Sequence, residues 1–365
     1  MESPLLAVHV SLGAKLGDFA GWQMPLEYPA PVGGGTLAEH EAVRQRVGIF
    51  DVSHLGKISI VGTGAKLWAN EIFTNDLERI GAGQAQYSLL CSDDGGIIDD
   101  VIIYCFGDDR LLIVPNAANA ESVFHVLQSA NDKGLSITNQ HQEFAVIAAQ
   151  GPMSAELLRT LGLHRDLPYM SFTEVHFSGR QFTLCRTGYS GEHGYELIPP
   201  SDIATQLWNE LSREVLAIGG KIAGLGARDT LRTEMGYPLH GHELSLTISP
   251  LDANLSWAIG WRKKSFHGHQ ALRTSQAKGV ARLLRGLLLT ERGIPRAGML
   301  VRNGAGAVVG EVTSGTFSPT LKEGIALALI ESGIEVGEQL MIDVRGRTLA
   351  AVVVKPPFLP SHVRD

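Results

Sequence analysis

The spacing of apolar residues changes along the chain, and each spacing is typical of one kind of secondary structure. In the first 260 residues, segments with helical spacing alternate with segments of strand-like spacing. The strand-like spacing is clearest in QAQYSLLCSDDGGIIDDVIIYCF. The pattern predicts helices over residues 36–47, 63–73, 118–133, 153–161 and 202–216, and over the last part of 224–236. Strands lie between these helices in a β-α-β-β order, so we expect antiparallel α+β units rather than a doubly wound sheet.

Local signals refine three of these predictions. Thr36 and Glu39 stand at the start of TLAEHEAVRQRV with the spacing of a capping box. The run IFDVSHLGKISIVG alternates apolar and polar residues, which predicts a pair of strands with a turn near Gly56. The segment SDDGG predicts the turn of the next hairpin, because Asp and Gly tolerate the backbone conformations of turns.

After about residue 280 the helical spacing disappears. Short apolar runs such as LRGLLL, GIALALI and LAAVVVK are separated by Gly-rich turns. This order predicts an all-β barrel or sandwich at the C-terminal end of the chain. The polar segment that precedes it, residues 261–279, is the predicted connector.

Composition and charge exclude several classes of function. The chain has 365 residues, a hydrophobic content of 44% and a formal charge of −7, which suits a globular protein of two or three domains. An acidic chain without a long basic run is a poor candidate for binding nucleic acid or an anionic membrane. Its cysteines, Cys91, Cys105 and Cys185, form no C-x-x-C pair, and neither a membrane-spanning apolar run nor a targeting peptide is evident. We therefore expect a soluble protein of a bacterial cytoplasm, with neither structural zinc nor disulfides.

The segment GGIIDDVIIYCF places two neighbouring carboxylates, Asp99 and Asp100, at the head of an apolar strand. Successive strand side chains point to opposite faces, so Asp100 should share a face with Ile102 and Tyr104. One interpretation is that both aspartates only cap the turn. The alternative is a site completed by Tyr87, the tyrosines of RTGYSGEHGYEL and the arginine of GLGARD, residue types that suit a flat aromatic ligand with polar edges and an anionic tail.

Other motifs have weaker implications. Two H-G-H segments, LHGHEL and FHGHQA, lack a carboxylate or cysteine at ligand spacing, so we predict no metal site. Asp51, Ser53 and His54 have the composition of a hydrolase triad, but on one strand His54 would point away from the other two. We interpret them as a structural polar network. Neither GLGARD nor GAGAVVG has the dinucleotide-binding spacing, so we expect no flavin or nicotinamide.

Eight collinear segments resemble one known family over nearly the whole chain. They are LGAKLGDFAGWQMPLEY, HEAVRQRVGIFDVSHLG, GGIIDDVIIY, AAQGP, RTGYSGEHGYEL, GLGARDTLRTEMG, ISPLDANLSWAIGW and GEVTSGTFSPTL. The family is the T-protein of the glycine cleavage system, a tetrahydrofolate-dependent aminomethyltransferase. The resemblance implies an α+β fold with three lobes around a central folate hole: two antiparallel α+β domains and a C-terminal β-barrel. We therefore expect one domain from residues 1–50 with 140–260, a second at 51–139 with the GGIIDD hairpin, and the barrel at 280–365.

The resemblance also implies which residues act. Asp100 matches the essential aspartate of the family and is the expected catalytic residue, whereas Asp99 is expected to end the turn. The expected folate-binding residues are Tyr87, Tyr104, Asn116, Tyr169, Tyr189, Glu196, Arg228 and Trp257. The chain departs from the family at His240, where a tyrosine is usual, and in the acidic pair that commonly follows and is absent here.

The activity implied by the resemblance needs two substrates and a partner protein. The chain would take an aminomethyl group from the dihydrolipoyl arm of lipoylated H-protein, release ammonia and form 5,10-methylenetetrahydrofolate. Tetrahydrofolate would be the acceptor, and P-protein and L-protein would be functional partners. The basic run Arg262, Lys263 and Lys264 is predicted to be part of the H-protein docking surface.

Two relatives of different function remain as alternatives. One is a non-catalytic folate-binding protein of the same fold that supports iron–sulfur cluster maintenance, and the absence of a K-G-C segment counts against it. The other is a folate-dependent demethylase of the same superfamily.

Overall fold

The computed structural model describes residues 1–344 and 346–365. These residues form α-helices and strands in an alternating order, with short 3₁₀ turns at Leu77–Arg79 and Ser256–Ala258. The helices are α1 Leu6–Ser11, α2 Thr36–Gln45, α3 Ala65–Asn70, α4 Ala120–Ser129, α5 Ser154–Thr160, α6 Ser201–Ala217, α7 Leu225–Glu234 and α8 His269–Lys278. The strands are β1 Lys15–Phe19, β2 Trp22–Glu27, β3 Gly48–Asp51, β4 Ile58–Val61, β5 Gln84–Cys91, β6 Ile97–Gly107, β7 Arg110–Pro115, β8 Ser136–Asn139, β9 Ile147–Gln150, β10 Phe172–Phe177, β11 Arg180–Cys185, β12 Gly194–Ile198, β13 Lys221–Ile222, β14 Arg282–Leu289, β15 Leu300–Arg302, β16 Val308–Ser318, β17 Glu323–Glu331, β18 Gln339–Val344 and β19 Arg347–Val354.

Two sheets and a hairpin account for the strands before residue 280. The larger sheet has the order β10-β11-β12-β9-β3-β13, and its strands are antiparallel except for the pair β3 and β13. The second sheet has the order β5-β6-β7-β4-β8 and is antiparallel throughout, while β1 and β2 form a separate two-stranded antiparallel sheet. The predicted antiparallel α+β architecture is confirmed. Sheet membership changes between β3 and β4 and between β8 and β9, but the exact domain boundaries stay a prediction.

The C-terminal strands close into a barrel. Its order is β14-β17-β16-β15-β18-β19, with β19 pairing back to β14. Alternate strand residues such as Leu287, Ile330 and Val353 are fully buried and fill the interior. Of the barrel and the sandwich predicted from the sequence, the barrel is therefore confirmed.

Separate apolar cores hold these layers together. One face of the larger sheet packs on α6, where Trp208 meets the strand residues Ile147 and Leu197. Its other face meets the second sheet, where Phe50 and Tyr104 belong to one cluster. A further cluster joins the β5–β6 hairpin to the barrel through the segment between α7 and α8. The second sheet, which includes the β5–β6 hairpin, is thereby packed against both the larger sheet and the barrel.

Glu234, at the end of α7, joins α2 to the barrel. Its carboxylate is fully buried and accepts hydrogen bonds from Arg44 on α2 at 2.7 Å and from Ser318 at the end of β16 at 2.5 Å. Burial alone would raise the pKa of Glu234, but the hydrogen bond from His40 and the charges of His40 and Arg44 lower it to about 2. The carboxylate is therefore ionised and paired at neutral pH, as a buried charge requires.

Two local predictions were wrong. The predicted pair in IFDVSHLGKISIVG does not form, because β3 lies between β9 and β13 while β4 belongs to the second sheet. The capping box is also absent: Glu39 instead accepts from the backbone N–H groups of Tyr28 at 2.6 Å and Gly224 at 3.0 Å. The hydroxyl of Thr36 donates to Glu27, so side chains from outside the helix replace the local cap. The predicted connector contains helix α8.

Candidate active site

A cavity of about 430 Å³ lies where the β5–β6 hairpin, the larger sheet and α7 meet. All nine residues predicted for the site line its wall: Asp100, Tyr87, Tyr104, Asn116, Tyr169, Tyr189, Glu196, Arg228 and Trp257. They come from β5, β6, β12, α7 and the loops between elements, so residues more than 150 positions apart in the sequence meet here. Their individual roles stay predictions.

The hairpin strands β5 and β6 place Asp100 and Tyr87 side by side. Leu89 pairs with Asp100 and Tyr87 with Ile102, so strand register sets both side chains on the cavity face. The ring of Trp257 stacks on Tyr87 with centroids 5.3 Å apart and planes at 28°. Trp257 is 62% exposed, which leaves its other face open at the mouth of the cavity.

Asp99 does not end the turn, and this prediction was wrong. The turn is over before β6 begins at Ile97, and Asp99 is fully buried. Its carboxylate accepts from the backbone N–H of Asn116 at 2.8 Å, from Asn116 Nδ2 at 2.9 Å and from Asn119 Nδ2 at 2.8 Å. A buried carboxylate needs such donors, and here they come from the loop between β7 and α4. Asp99 thus fixes the loop that borders the cavity.

Asn116 connects the two aspartates. Besides its bonds to Asp99, its Nδ2 atom lies 2.7 Å from Asp100 Oδ1. Burial raises the pKa of both carboxyls, and the charge of Asp100 raises that of Asp99 further. The Tyr87 hydroxyl and the Asn116 amide oppose the increase at Asp100, although the hydroxyl does not reach full hydrogen-bond geometry. Asp100 is therefore held in one orientation in a site that penalises negative charge.

Glu196 is positioned by the hydroxyls of two other residues of the cavity wall. Its Oε2 atom accepts from Thr187 at 2.5 Å, and Thr187 Oγ1 lies 3.2 Å from the hydroxyl of Tyr104. Tyr104 is only 1% exposed, so its hydroxyl supports Thr187. Among the described residues, none donates to the Oε1 atom of Glu196, which remains available to a ligand.

Arg228 provides the positive charge of the site. Its guanidinium carbon lies 4.6 Å from the centre of the Tyr189 ring, which in turn stacks on Tyr237 at 5.6 Å. The hydroxyl of Tyr189 donates to the carbonyl of Pro238, which fixes the ring. In the described part of the chain Arg228 forms no salt bridge, so its charge is free to attract an anionic group.

Sequence reasoning missed several residues of the wall. Thr187 and Tyr237 belong to it, as do His240 and His242 of the first H-G-H segment. These histidines contact backbone carbonyls, His240 at Ile97 and His242 at Thr313. Two signals in the sequence pointed to this stretch, the H-G-H segment itself and the departure of His240 from the family pattern. Within residues 1–344 and 346–365 no three potential ligand side chains converge on a metal position, and the expected absence of metal stays a prediction.

The predicted polar network at FDVSH forms only in part. Asp51 accepts from His9 Nε2 at 2.8 Å and from the hydroxyl of Ser3, and Ser53 accepts from the backbone N–H of Val146 at 3.0 Å. His54 does not join them: its side chain borders the cavity. His54 points away from Asp51 and Ser53, as predicted, but not because the three share a strand: β3 ends at Asp51, and the residues after it follow a loop.

Comparison with known proteins decides the family. The model of the GCVT N-terminal domain matches residues 5–263, and that of the glycine cleavage T-protein C-terminal barrel domain matches residues 282–359. The chain belongs to the glycine cleavage T-protein family. The resemblance read from the eight segments is thereby confirmed.

Full-length relatives agree with this assignment to the T-protein family. The chain is 53% identical to an aminomethyltransferase of Frankia alni over 363 residues, covering 100% of this chain and 99% of the relative. It is also 53% identical to an aminomethyltransferase of Mycobacterium tuberculosis, covering 100% of this chain and 98% of the relative. The crystal structure of glycine cleavage system aminomethyltransferase T from Bartonella henselae superposes with a TM-score of 0.93 at 32% identity, over 100% of this chain and 99% of that one. The α+β fold with its barrel is therefore that of the T-protein family.

Membrane insertion through a helix finds no support. Every helix of the described residues is too short or too polar to span a bilayer.

Proposed function

We propose that the chain transfers the aminomethyl group of a dihydrolipoyl arm on H-protein to tetrahydrofolate, with release of ammonia and formation of 5,10-methylenetetrahydrofolate. The observation that carries the proposal is the oriented carboxylate of Asp100, held by Asn116 in a cavity whose wall also contains Glu196 and Arg228. Membership of the T-protein family and the full-length aminomethyltransferase relatives support the same reaction.

The proposed role of Asp100 is electrostatic. As ammonia leaves, the carbon of the aminomethyl group becomes iminium-like and gains positive charge. A carboxylate already oriented beside this carbon stabilises the charge without reorganisation, and it can also orient the attacking amine of the folate. Because burial raises the pKa of Asp100, a developing positive charge nearby also relieves the cost of its ionisation.

The proposed folate site uses the remaining polar groups. The pterin edge carries adjacent N–H donors, and Glu196 can accept from them through Oε1 while Thr187 holds Oε2. Arg228 suits the anionic glutamate tail, since it forms no salt bridge within the described residues. The exposed, stacked ring of Trp257 suits an aromatic ligand at the mouth.

The proposed partner is lipoylated H-protein, and P-protein and L-protein are its functional associates in the bacterial cytoplasm.

The prediction that Lys263 belongs to the docking surface was wrong. Its Nζ atom donates to the carbonyls of Phe73 at 2.5 Å and Asn75 at 2.9 Å, and burial lowers the pKa of Lys263 to about 8. Arg262 and Lys264 are exposed, so they alone remain as the proposed basic contacts.

The test is a reaction with purified components. The chain is mixed with aminomethyl-loaded H-protein and tetrahydrofolate, and ammonia and 5,10-methylenetetrahydrofolate are measured together. We expect the two products in equal amounts and at a rate that rises with the concentration of the chain. No catalysed product from loaded H-protein and tetrahydrofolate would contradict the proposed function.

A further inference from the structure

His54 borders the cavity but has no function in the site described so far. It follows β3 in the loop to β4, is only 3% exposed and lines the same wall as Arg228. No residue of the described part of the chain makes a hydrogen bond to its side chain, and its Nδ1 atom is completely buried without a partner. A nearly buried imidazole without partners is uncommon, because unpaired polar groups cost free energy.

The two ring nitrogens of His54 differ in their surroundings. Within the described residues neither nitrogen has a protein partner, but only Nδ1 is completely enclosed by protein. A buried nitrogen without an acceptor beside it is less costly as a lone pair than as an N–H donor. The proton of the neutral ring therefore belongs on Nε2, the nitrogen that can be reached from the cavity.

The ring is neutral under ordinary conditions. Burial lowers the pKa of His54 to about 3, and the positive charge of nearby Arg228 lowers it as well. The ring packs against Phe19 in an edge-to-face arrangement with centroids 5.1 Å apart, which limits its rotation. An oriented neutral donor beside a free guanidinium suits an oxygen acceptor on a ligand that Arg228 also attracts.

We propose that His54 donates a hydrogen bond from Nε2 to a carbonyl or carboxylate oxygen of the folate-class substrate, and so contributes to its affinity. This inference rests on the proposed function, because it takes the cavity to be the folate site. A purely apolar role, in which the ring only fills the wall against Phe19, is the competing explanation.

Substitutions at position 54 separate the two explanations. His54→Phe keeps a ring of similar size against Phe19 but removes both nitrogens. His54→Gln keeps a donor near the position of Nε2, whereas His54→Asn places its amide near Nδ1. Thermal unfolding of each variant shows whether the loop still folds.

The measurement is the dissociation constant of tetrahydrofolate by calorimetry. We expect His54→Phe and His54→Asn to weaken binding by about tenfold, the effect of one net hydrogen bond. We expect His54→Gln to stay within about threefold of the unsubstituted protein. Binding by His54→Phe as tight as that of the unsubstituted protein would overturn the proposal. If His54→Phe does not fold, equal affinities of the Gln and Asn variants would overturn it instead.

Glu196→Gln, measured in the same series, distinguishes this inference from the proposed function. If Glu196→Gln weakens binding and His54→Phe does not, only the role of His54 is wrong. If the unsubstituted protein does not bind tetrahydrofolate, the proposed site and the role of His54 both fail.

Discussion

Replacing Asn116 with Ala should lower turnover, because it removes the amide that orients Asp100 and opposes the increase of its pKa. The Nδ2 atom that is lost lies 2.7 Å from Asp100 Oδ1 and 2.9 Å from Asp99 Oδ1. The backbone N–H of residue 116 keeps its 2.8 Å hydrogen bond to Asp99, so the loop keeps an anchor. A hydrogen bond to a charged group contributes about 1.5–3 kcal/mol. If that contribution orients Asp100 for the reaction, turnover should fall by about 10- to 100-fold.

Asn119→Ala is the matched control for Asn116→Ala. Asn119 Nδ2 donates to Asp99 at 2.8 Å and to neither oxygen of Asp100, so the control removes a bond of the same kind without touching the reacting carboxylate. Initial rates of 5,10-methylenetetrahydrofolate formation are measured at saturating loaded H-protein and tetrahydrofolate, with thermal unfolding as a check on folding. We expect the control to lose less than about threefold in rate. An equal loss in both variants, or no loss in Asn116→Ala, would refute the proposed orientation of Asp100 by Asn116.

Three other predictions follow from the same contacts. Glu196→Gln should raise the dissociation constant of tetrahydrofolate by about tenfold or more, because the amide N–H groups would face the N–H donors of the pterin. An unchanged dissociation constant in calorimetry would mean that Glu196 has only a structural role. Glu234→Gln should lower the free energy of unfolding by about 3 kcal/mol at pH 7, the value that corresponds to a pKa reduced from 4.5 to about 2. A lowered carboxyl pKa stabilises the fold fully above the unfolded pKa of 4.5 and progressively less as the pH falls toward the folded pKa, so chemical denaturation should show this difference shrink below about pH 4.5, with the exposed Glu41→Gln unaffected. Reversing the charges of Arg262 and Lys264 should raise the KM for H-protein at low salt and abolish most of the salt dependence of that KM. If the KM of the unsubstituted protein does not change with salt, these residues do not belong to the docking surface.

The sequence predicted the elements whose pattern is local and strong. The predicted helix 202–216 is observed as Ser201–Ala217, because an apolar stripe with helical spacing leaves few alternatives. The loss of helical spacing after residue 280 likewise predicted the β-structure of the barrel. For the site, collinear family segments predicted nine residues that now line one cavity, a convergence that spacing alone does not reveal.

What could not be predicted depended on partners distant in sequence. Glu39 has the spacing of a helix cap, but the backbone N–H of Gly224 competes for its carboxylate. Asp99 looks like a turn residue until the loop with Asn116 and Asn119 supplies its donors. Lys263 looks like surface charge, and only the fold shows the backbone carbonyls that turn its ammonium group inward. In each case a long-range contact replaced the local interaction that the sequence indicated.

The turnover and folate affinity of Asp100→Asn, measured on the same preparation, test whether the Asp100 carboxylate takes part in aminomethyl transfer. The swap is nearly isosteric, so it removes the charge and changes packing little. We expect the rate of aminomethyl transfer to fall by about two orders of magnitude, the scale of losing one preorganised electrostatic partner of the transition state. The dissociation constant of tetrahydrofolate should change by less than about threefold, since the proposed contacts of the pterin edge and the glutamate tail are with Glu196 and Arg228. A rate equal to that of the unsubstituted protein would remove Asp100 from the mechanism and contradict the proposed chemistry.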